Sequence, residues 1–348
     1  MRIAIATVQI PFVRGGADGH AEGLKRALIA AGHEADIVAF PFNPVFPQSI
    51  PDQMLACRLL DLTEIHGAPI DLLIALKFPA YLIPHPNKIV WLLHQHRAAY
   101  DLWSYPFEDL DASPQGVVVR AAIRRADQQL TEARAIFANS KTVADRLRNF
   151  CNIESIPLYH PPPDAEHFYA ASEVGEYFFF PSRLCALKRQ NLVLEALALT
   201  TQPVRMRFAG AADSREYSRR LQDLATRLEV ESRVEWLGFL SEQEKRDQYA
   251  HAIAVLFPPL DEDFGYVTLE AMLSSKAVIT CEDSGGPLEF VVPQTTGLVA
   301  AASASELAQA MDTLWADRKF AAQLGREGRS RYEQLRLSWP AVVAQLLA

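Results

Sequence analysis

The chain reads as an α/β protein of two doubly wound, Rossmann-like domains, and three observations predict it. Short apolar runs alternate with longer helical patterns from the first residue onward, which is the signature of parallel sheets covered by helices. The alternation stops once, at Pro161-Pro162-Pro163, and then restarts. The length of 348 residues suits two domains at roughly 150 residues each.

In the first half, strands are expected at 3–6, 35–40, 71–76, 89–93 and 135–138, with a short one within 153–158. Helical patterns cover 19–31 and 117–133, and a helix starts at Lys141 with Ser140 as its cap. These elements make a first domain over 1–165. The three prolines fit neither a helix interior nor a central strand, and the polar and small residues up to Glu176 read as a linker. The second domain, 170–330, has strands at 177–180, 204–209, 234–237, 252–257, 277–280 and 297–299. Its helices are expected at 189–199, 215–228, 242–250, 265–273 and 305–314. In the final stretch, 336–348, apolar residues at 339, 342, 343, 346 and 347 share one helical face. Pro340 suits the first turn of that helix and Ser338 its cap.

Composition excludes several function classes. Apolar residues make up 49% of the chain and charged residues 22%, the balance of a globular protein and not of a disordered or fibrous one. Lys and Arg number 34 against 42 Asp and Glu, a net charge of −8, so a nucleic-acid partner held through phosphates is not expected. Cys57, Cys151, Cys185 and Cys281 lie far apart, which suits reduced thiols and offers neither a zinc site nor a disulfide framework. Residues 1–9 read as a buried strand, not a signal peptide. The most apolar long window, 68–84, is broken by Asp71, Lys77 and three prolines, too polar to span a bilayer. The expected location is cytoplasmic, with peripheral contact at the inner face of the cell membrane left open.

Ligands in doubly wound folds bind beyond the carboxyl ends of the strands, so the strand-to-helix loops hold the candidate residues. After the strand ending at Phe257 comes an acidic loop, Leu260-Asp261-Glu262-Asp263-Phe264, and then a helix near Gly265. A glycine there admits a ligand to the first backbone N–H groups of the helix, those of Gly265, Tyr266 and Val267, where the dipole favours an anion. Acidic residues before a helix are also ordinary caps. Arg183 leaves the strand Phe178-Phe179-Phe180 at its carboxyl end and Lys188 follows at the next helix start. Two such cations hold a diphosphate without a metal; the bland alternative is a solvated pair. Gly15-Gly16 follows the first strand, as a backbone approach to a ligand or a simple turn. His94 ends the strand Val90-Trp91-Leu92-Leu93, with His96 a less certain neighbour and no third residue to complete a metal site. Arg120, Arg124 and Arg125 form a basic stripe, read as a solvated helix face or as a contact for an anionic acceptor or lipid head group.

Glu262 and Glu270, separated by seven residues, resemble the EGFG-x-x-x-x-E signature of glycosyltransferase family 4, retaining enzymes of the GT-B fold. The resemblance recurs in order along the chain in Gly15-Gly16, His94, Asn139-Ser140, the segment 161–168, Ser182-Arg183-Leu184 with Lys188, Gly238-Phe239, and Gly285-Gly286 with Glu289. It implies two domains facing a central cleft, with the last helix crossing back to the first domain. It implies a nucleoside-diphosphate sugar as donor, UDP- or GDP-linked, a glycan or lipid-linked acceptor, and a place in polysaccharide biosynthesis. By resemblance, Glu262 and His94 meet the donor sugar, Arg183 and Lys188 neutralise the leaving diphosphate, Gly15, Gly16, Gly265, Tyr266 and Val267 border the donor, and Glu270 binds the ribose hydroxyls. No cofactor and no metal are expected. The chain departs from the family pattern at Asp263 and at Ser275-Lys276-Ala277, which stands where Gly-x-Pro is common. Two other classes stay open: a glycoside hydrolase using the two glutamates, which has no use for Arg183 and Lys188, and a nucleotide-sugar-binding or scaffolding protein with little turnover.

Overall fold

Runs of consecutive apolar residues such as Phe178-Phe179-Phe180, all wholly buried, cannot keep one face in water, and they form the middle strands of two parallel sheets. The computed structural model describes every residue except 12–14, 44–45, 104 and 106–109. The described chain divides into two units, Met1–Pro163 with Ser338–Ala348, and Asp164–Leu337.

The first unit runs β1 (Arg2–Gln9), α1 (Gly16–Ala30), β2 (Glu34–Pro41), α2 (Ile50–Arg58), a two-strand antiparallel hairpin of β3 (Glu64–Ile65) and β4 (Ala68–Pro69), then β5 (Leu72–Ala75), β6 (Lys88–Leu92), α3 (Pro114–Ala126), β7 (Ala135–Ala138), α4 (Lys141–Cys151) and β8 (Ile156–Pro157). Its main sheet has the order β2-β1-β5-β6-β7-β8, parallel throughout. The second unit runs β9 (Phe178–Pro181), α5 (Gln190–Leu199), β10 (Met206–Ala209), α6 (Arg215–Arg227), β11 (Val234–Gly238), α7 (Glu242–His251), β12 (Ala254–Leu256), α8 (Tyr266–Leu273), β13 (Ala277–Cys281), β14 (Gly297–Ala300), α9 (Ala304–Ala316) and α10 (Arg318–Leu335). Its sheet order is β11-β10-β9-β12-β13-β14. Strand order therefore reverses between β9 and β12, the place where a doubly wound sheet opens a crevice at its carboxyl edge. No helix among the described residues is long and apolar enough to cross a membrane.

Several elements differ from the sequence reading. The stretch after the prolines is not a free linker: Phe168 is buried against Tyr249, the Tyr169 hydroxyl donates to Asp247, and Ala171 and Gly175 N–H groups bond α7 carbonyls, so it belongs to the second unit, which begins at Asp164 and not at 170. That unit also extends past 330, because α10 runs to Leu335 and buries Tyr332. The helix expected at 117–133 starts at Pro114, where the Ser113 hydroxyl caps it, and gives way to a 3-10 turn after Ala126. The arginine stripe is not a uniform solvated face: the Arg120 guanidinium lies 4.3 Å from the Trp103 ring centroid and bonds the Ala99 carbonyl, and Arg124 lies over Tyr100.

The last helix, α11 (Trp339–Leu347), opens on the Ser338 cap and buries Val342, Val343 and Leu346 against the first unit. Trp339 lies against Gly23 of α1, where even a Cβ would come within 2.2 Å of the indole. Around it stand His20, Trp91 and His160 at ring-centroid distances of 6.2, 6.2 and 5.6 Å. His20 and His160 are fully buried and share a hydrogen bond, Nδ1 to Nε2, of 3.1 Å. Burial lowers the His20 pKa to about 3, and burial together with the His20 charge holds His160 well below the ordinary histidine value.

A depressed histidine pKa means that the unfolded chain binds the proton first, so stability falls as pH drops from about 6.5 toward 3, by about 1.4 kcal/mol per pH unit for each imidazole. Asp127, raised by burial to about 6, works in the opposite direction. We therefore expect His20→Phe to flatten the acid limb of stability measured by urea titration at successive pH values; an unchanged slope contradicts the buried neutral pair. Trp339→Ala should lower stability by about 2–3 kcal/mol, below the range for a fully buried tryptophan because the indole is only half-buried.

Candidate functional site

The crevice position at the end of β9 and β12 is built from three loops of the second unit. The first follows β9. Arg183 is exposed there and its guanidinium donates to Asp213 at 2.6 Å. The Gln190 side chain holds the Arg183 carbonyl at 2.8 Å. A 3-10 turn, Ala186–Lys188, then turns the Lys188 ammonium onto the Glu262 carboxylate, with both side chains largely covered at 14% and 21% exposure. The same ammonium lies 5.5 Å from the Phe257 ring centroid.

The second loop follows β12 and carries Glu262. Its backbone is held on both sides: Glu262 N–H donates to the Ser284 carbonyl at 2.9 Å and Gly286 N–H donates to the Glu262 carbonyl at 2.8 Å. This contact requires glycine opposite, since a Cβ on Gly285 would lie 2.6 Å from the Glu262 carbonyl oxygen and its φ is +69°. Gly285-Gly286 thus presses the third loop, after β13, onto the backbone of the second. Gly265, at φ +82°, is the N-cap of α8, and Tyr266 and Val267 begin the helix. Helix geometry points the first amides of a helix out of its N-terminal end.

Glu270, one turn further along α8, is 6% exposed. One of its oxygens accepts from the Tyr249 hydroxyl at 2.6 Å and the other from Lys245 at 3.1 Å, both from α7. Burial alone works against the Lys245 ammonium, but Glu270 and Glu242 outweigh it and raise its pKa. Burial and the Glu270 charge push the phenols of Tyr249 and Tyr266 up. At the departures from the family pattern, Ser275 takes φ +54°, the left-handed region that favours glycine, and Lys276 is buried, which lowers its pKa to about 8.

The structure thus brings Lys188, Glu262 and the start of α8 together in one unit, with Glu270 on the same helix and Arg183 in the adjoining loop. Gly15, Gly16 and His94 belong to the other unit. There Gly15 caps α1, donating its N–H to Asp18 at 2.8 Å, and Gly16 is the first residue of the helix. His94 follows β6 with Nδ1 2.6 Å from the Gln95 carbonyl oxygen, while His96 packs against Phe78 and Phe42. Ser140 caps α4 through Val143 N–H.

Sequence reasoning missed four participants: Asp213, Tyr249, Lys245 and Arg189. Arg189 makes a bidentate pair with Asp283 and reaches the carbonyls of Pro258 and Pro259. A second cation directly after Lys188 was the available signal; the partners of the other three lie 21 to 30 residues away in sequence and become neighbours only on folding.

Residues 166–331 match the family described as Glycosyl transferases group 1. The matched stretch contains all three loops. Among curated proteins, the chain is similar to alpha-1,3/1,6-mannosyltransferase ALG2 of Mus musculus, 29% identical over 172 residues, which is 45% of this chain and 41% of that protein. It is also similar to a D-inositol 3-phosphate glycosyltransferase of Gordonia bronchialis, 25% identical over 243 residues, 64% of this chain and 53% of that protein. The match thus spans about half, or less, of these curated relatives. Among solved structures, sucrose-phosphate synthase from Thermosynechococcus elongatus superposes with a TM-score of 0.79 at 20% identity, covering 99% of this chain and 97% of that one. Anabaena Alr3699/HepE in complex with UDP-glucose superposes with a TM-score of 0.71 at 18% identity, covering 99% and 98%. The fold is the α/β architecture of GT-B glycosyltransferases, two Rossmann-like domains.

Tyr249→Phe keeps the buried ring and removes the hydroxyl that holds Glu270. A lost hydrogen bond to a buried carboxylate costs about 1.5–3 kcal/mol, and denaturant unfolding of the variant should show a loss in that range; an unaltered midpoint contradicts the contact.

Proposed function

We propose that this protein is a family 4, retaining glycosyltransferase that moves a sugar from a nucleoside-diphosphate donor, UDP- or GDP-linked, to a hydroxyl of a glycan or lipid-linked acceptor. The observation that carries the reading is the meeting of Lys188, Glu262 and the α8 N-terminus at the crevice position of a group 1 glycosyl transferase domain. A solved neighbour that superposes over nearly the whole chain, Alr3699/HepE, is described in complex with UDP and with UDP-glucose, which supports the donor class.

On this reading Arg183 and Lys188 hold the diphosphate, the first amides of α8 add partial positive charge, Glu270 accepts from the ribose hydroxyls, and Glu262 accepts from a hydroxyl of the sugar. Gly15, Gly16 and His94, which the family resemblance assigns to the donor, lie in the first unit. In the step itself the bond from the anomeric carbon to the diphosphate oxygen breaks and a bond to the acceptor oxygen forms on the same face. The acceptor proton passes to the departing phosphate. The protein's main contribution is electrostatic stabilisation of the leaving diphosphate, by cations of its own and without a bound metal.

Two measurements test this. A thermal-shift screen across UDP-, GDP- and ADP-sugars should find one that stabilises the protein, by about 2.7 kcal/mol at 100 times its dissociation constant. No shift with any of them, and no transfer or hydrolysis, argues against the donor assignment; binding without turnover points to the scaffolding alternative. Transfer should survive EDTA, and restoration by magnesium or manganese after its loss overturns the metal-free reading.

Arg183→Ala and Lys188→Ala should each weaken nucleoside-diphosphate binding by about tenfold or more in calorimetry. Lys188→Ala should be the more severe, because the Lys188 side chain is largely covered while Arg183 is half exposed and its charge is screened by solvent. Unchanged affinity in both variants removes the diphosphate assignment.

A further inference from the structure

We propose that Arg189 is a positioning residue for the transfer, one guanidinium that fastens the Lys188 loop, the Glu262 loop and the loop after β13 in register. The inference rests on the donor site proposed above and names a residue that no part of that reading assigns.

Arg189 sits at φ +58°, a left-handed backbone that favours glycine. Its side chain is largely covered, at 13% exposure, and four hydrogen bonds leave it in three directions. Nε donates to the Pro258 carbonyl at 2.7 Å and one terminal nitrogen to the Pro259 carbonyl at 2.6 Å. The two terminal nitrogens also grip the Asp283 carboxylate at 2.8 and 2.6 Å. The chain has left β12 where these proline carbonyls lie, so the guanidinium supplies donors that the sheet there does not.

Three backbone bonds run alongside. Leu260 N–H donates to Leu187, Asp261 N–H to Asp283 and Glu262 N–H to Ser284, at 2.7, 2.9 and 2.9 Å. Asp261 itself is strained at φ +42°, a conformation that persists only when its surroundings hold it. Lys188 is the residue before the clamp, and Glu262 is three residues past the second carbonyl it holds. The relation of the diphosphate cation to the sugar carboxylate is therefore set through Arg189. Lysine cannot substitute, since a point-charge ammonium lacks the planar fork that meets a carboxylate and two carbonyls at once.

The test uses the full chain and the nucleotide sugar that wild-type protein turns over. Arg189→Gly removes the guanidinium and accepts the left-handed backbone without strain. We expect kcat to fall by about 100-fold, the cost of a reacting geometry displaced by an ångström, while nucleoside-diphosphate affinity stays nearly unchanged. Millimolar guanidinium chloride should restore much of the lost rate, and sodium chloride at equal ionic strength should not. Asp283→Asn in the same chain should abolish the rescue, and Arg189→Lys should behave like the glycine variant. As a readout without donor, amide hydrogen exchange over 260–264 and 282–286 should accelerate in Arg189→Gly and slow again with guanidinium. Wild-type rate in Arg189→Gly, a loss that guanidinium cannot reverse, or unaltered exchange overturns the inference while leaving the donor site standing. Wild-type protein that binds no nucleotide sugar overturns both. If Arg189→Gly does not fold, Asp283→Asn alone must show the kcat loss and faster exchange, and wild-type behaviour in that variant overturns the inference.

Discussion

Everything in the candidate site depends on one topological constraint, the reversal of strand order between β9 and β12. From β9 the chain crosses to β10 on one side, and from β12 it crosses to β13 on the other. Right-handed crossovers carry the two connecting helices to opposite faces of the sheet, which leaves the loops after β9 and β12 beside each other with no helix between them. Loops so placed have no regular secondary structure to hold them. In this protein they are held by the backbone bonds from 260–262 to 187, 283 and 284, by the close approach of Gly285-Gly286, and by Arg189.

How much of this was legible in the sequence follows from the range of the physics involved. The parallel strands were legible because fully buried strands are continuous apolar runs, as at 178–180 and 277–281. The cap of α11 was legible because Ser338 and Pro340 act within one turn. Glu262, Lys188 and Gly265 were visible as chemistry at loop positions, although their grouping rested on a resemblance. The segment 164–176 was misread because its composition is that of a linker while its buried contacts, Phe168 on Tyr249 for example, lie about 80 residues away along the chain. The histidines show the same limit. His94 and His96 drew attention as a short motif, whereas the buried pair of His20 and His160 is joined across 140 residues and leaves no local trace.

The electrostatic partners were the least legible part. The site cations are each matched by a carboxylate: Arg183 with Asp213, Lys188 with Glu262, Arg189 with Asp283, and Lys245 with Glu270. These pairs are not equivalent. Arg183 and Asp213 are about half exposed, so their pairing is worth little and is easily exchanged. Arg189 with Asp283 combines a bidentate geometry with two further carbonyl contacts, which makes it a fastening. Lys245 and Tyr249 together satisfy a carboxylate that is almost wholly covered, and removal of either partner leaves Glu270 paired with only one.

Lys188 with Glu262 stands between these extremes, and that intermediate position bears on how the proposed donor would be selected. Both side chains are largely covered, so a ligand that draws Lys188 away strands a carboxylate in a poorly solvated place, and the stranded group costs free energy until something donates to it. A diphosphate alone satisfies the ammonium and leaves Glu262 without a partner. A diphosphate that carries a sugar brings hydroxyl donors on the same molecule, so the cation and the carboxylate are both satisfied when they separate. On the proposed reading, the Lys188–Glu262 pair would oppose a free nucleotide more strongly than a sugar nucleotide, because only the second ligand replaces both halves of the bond it breaks.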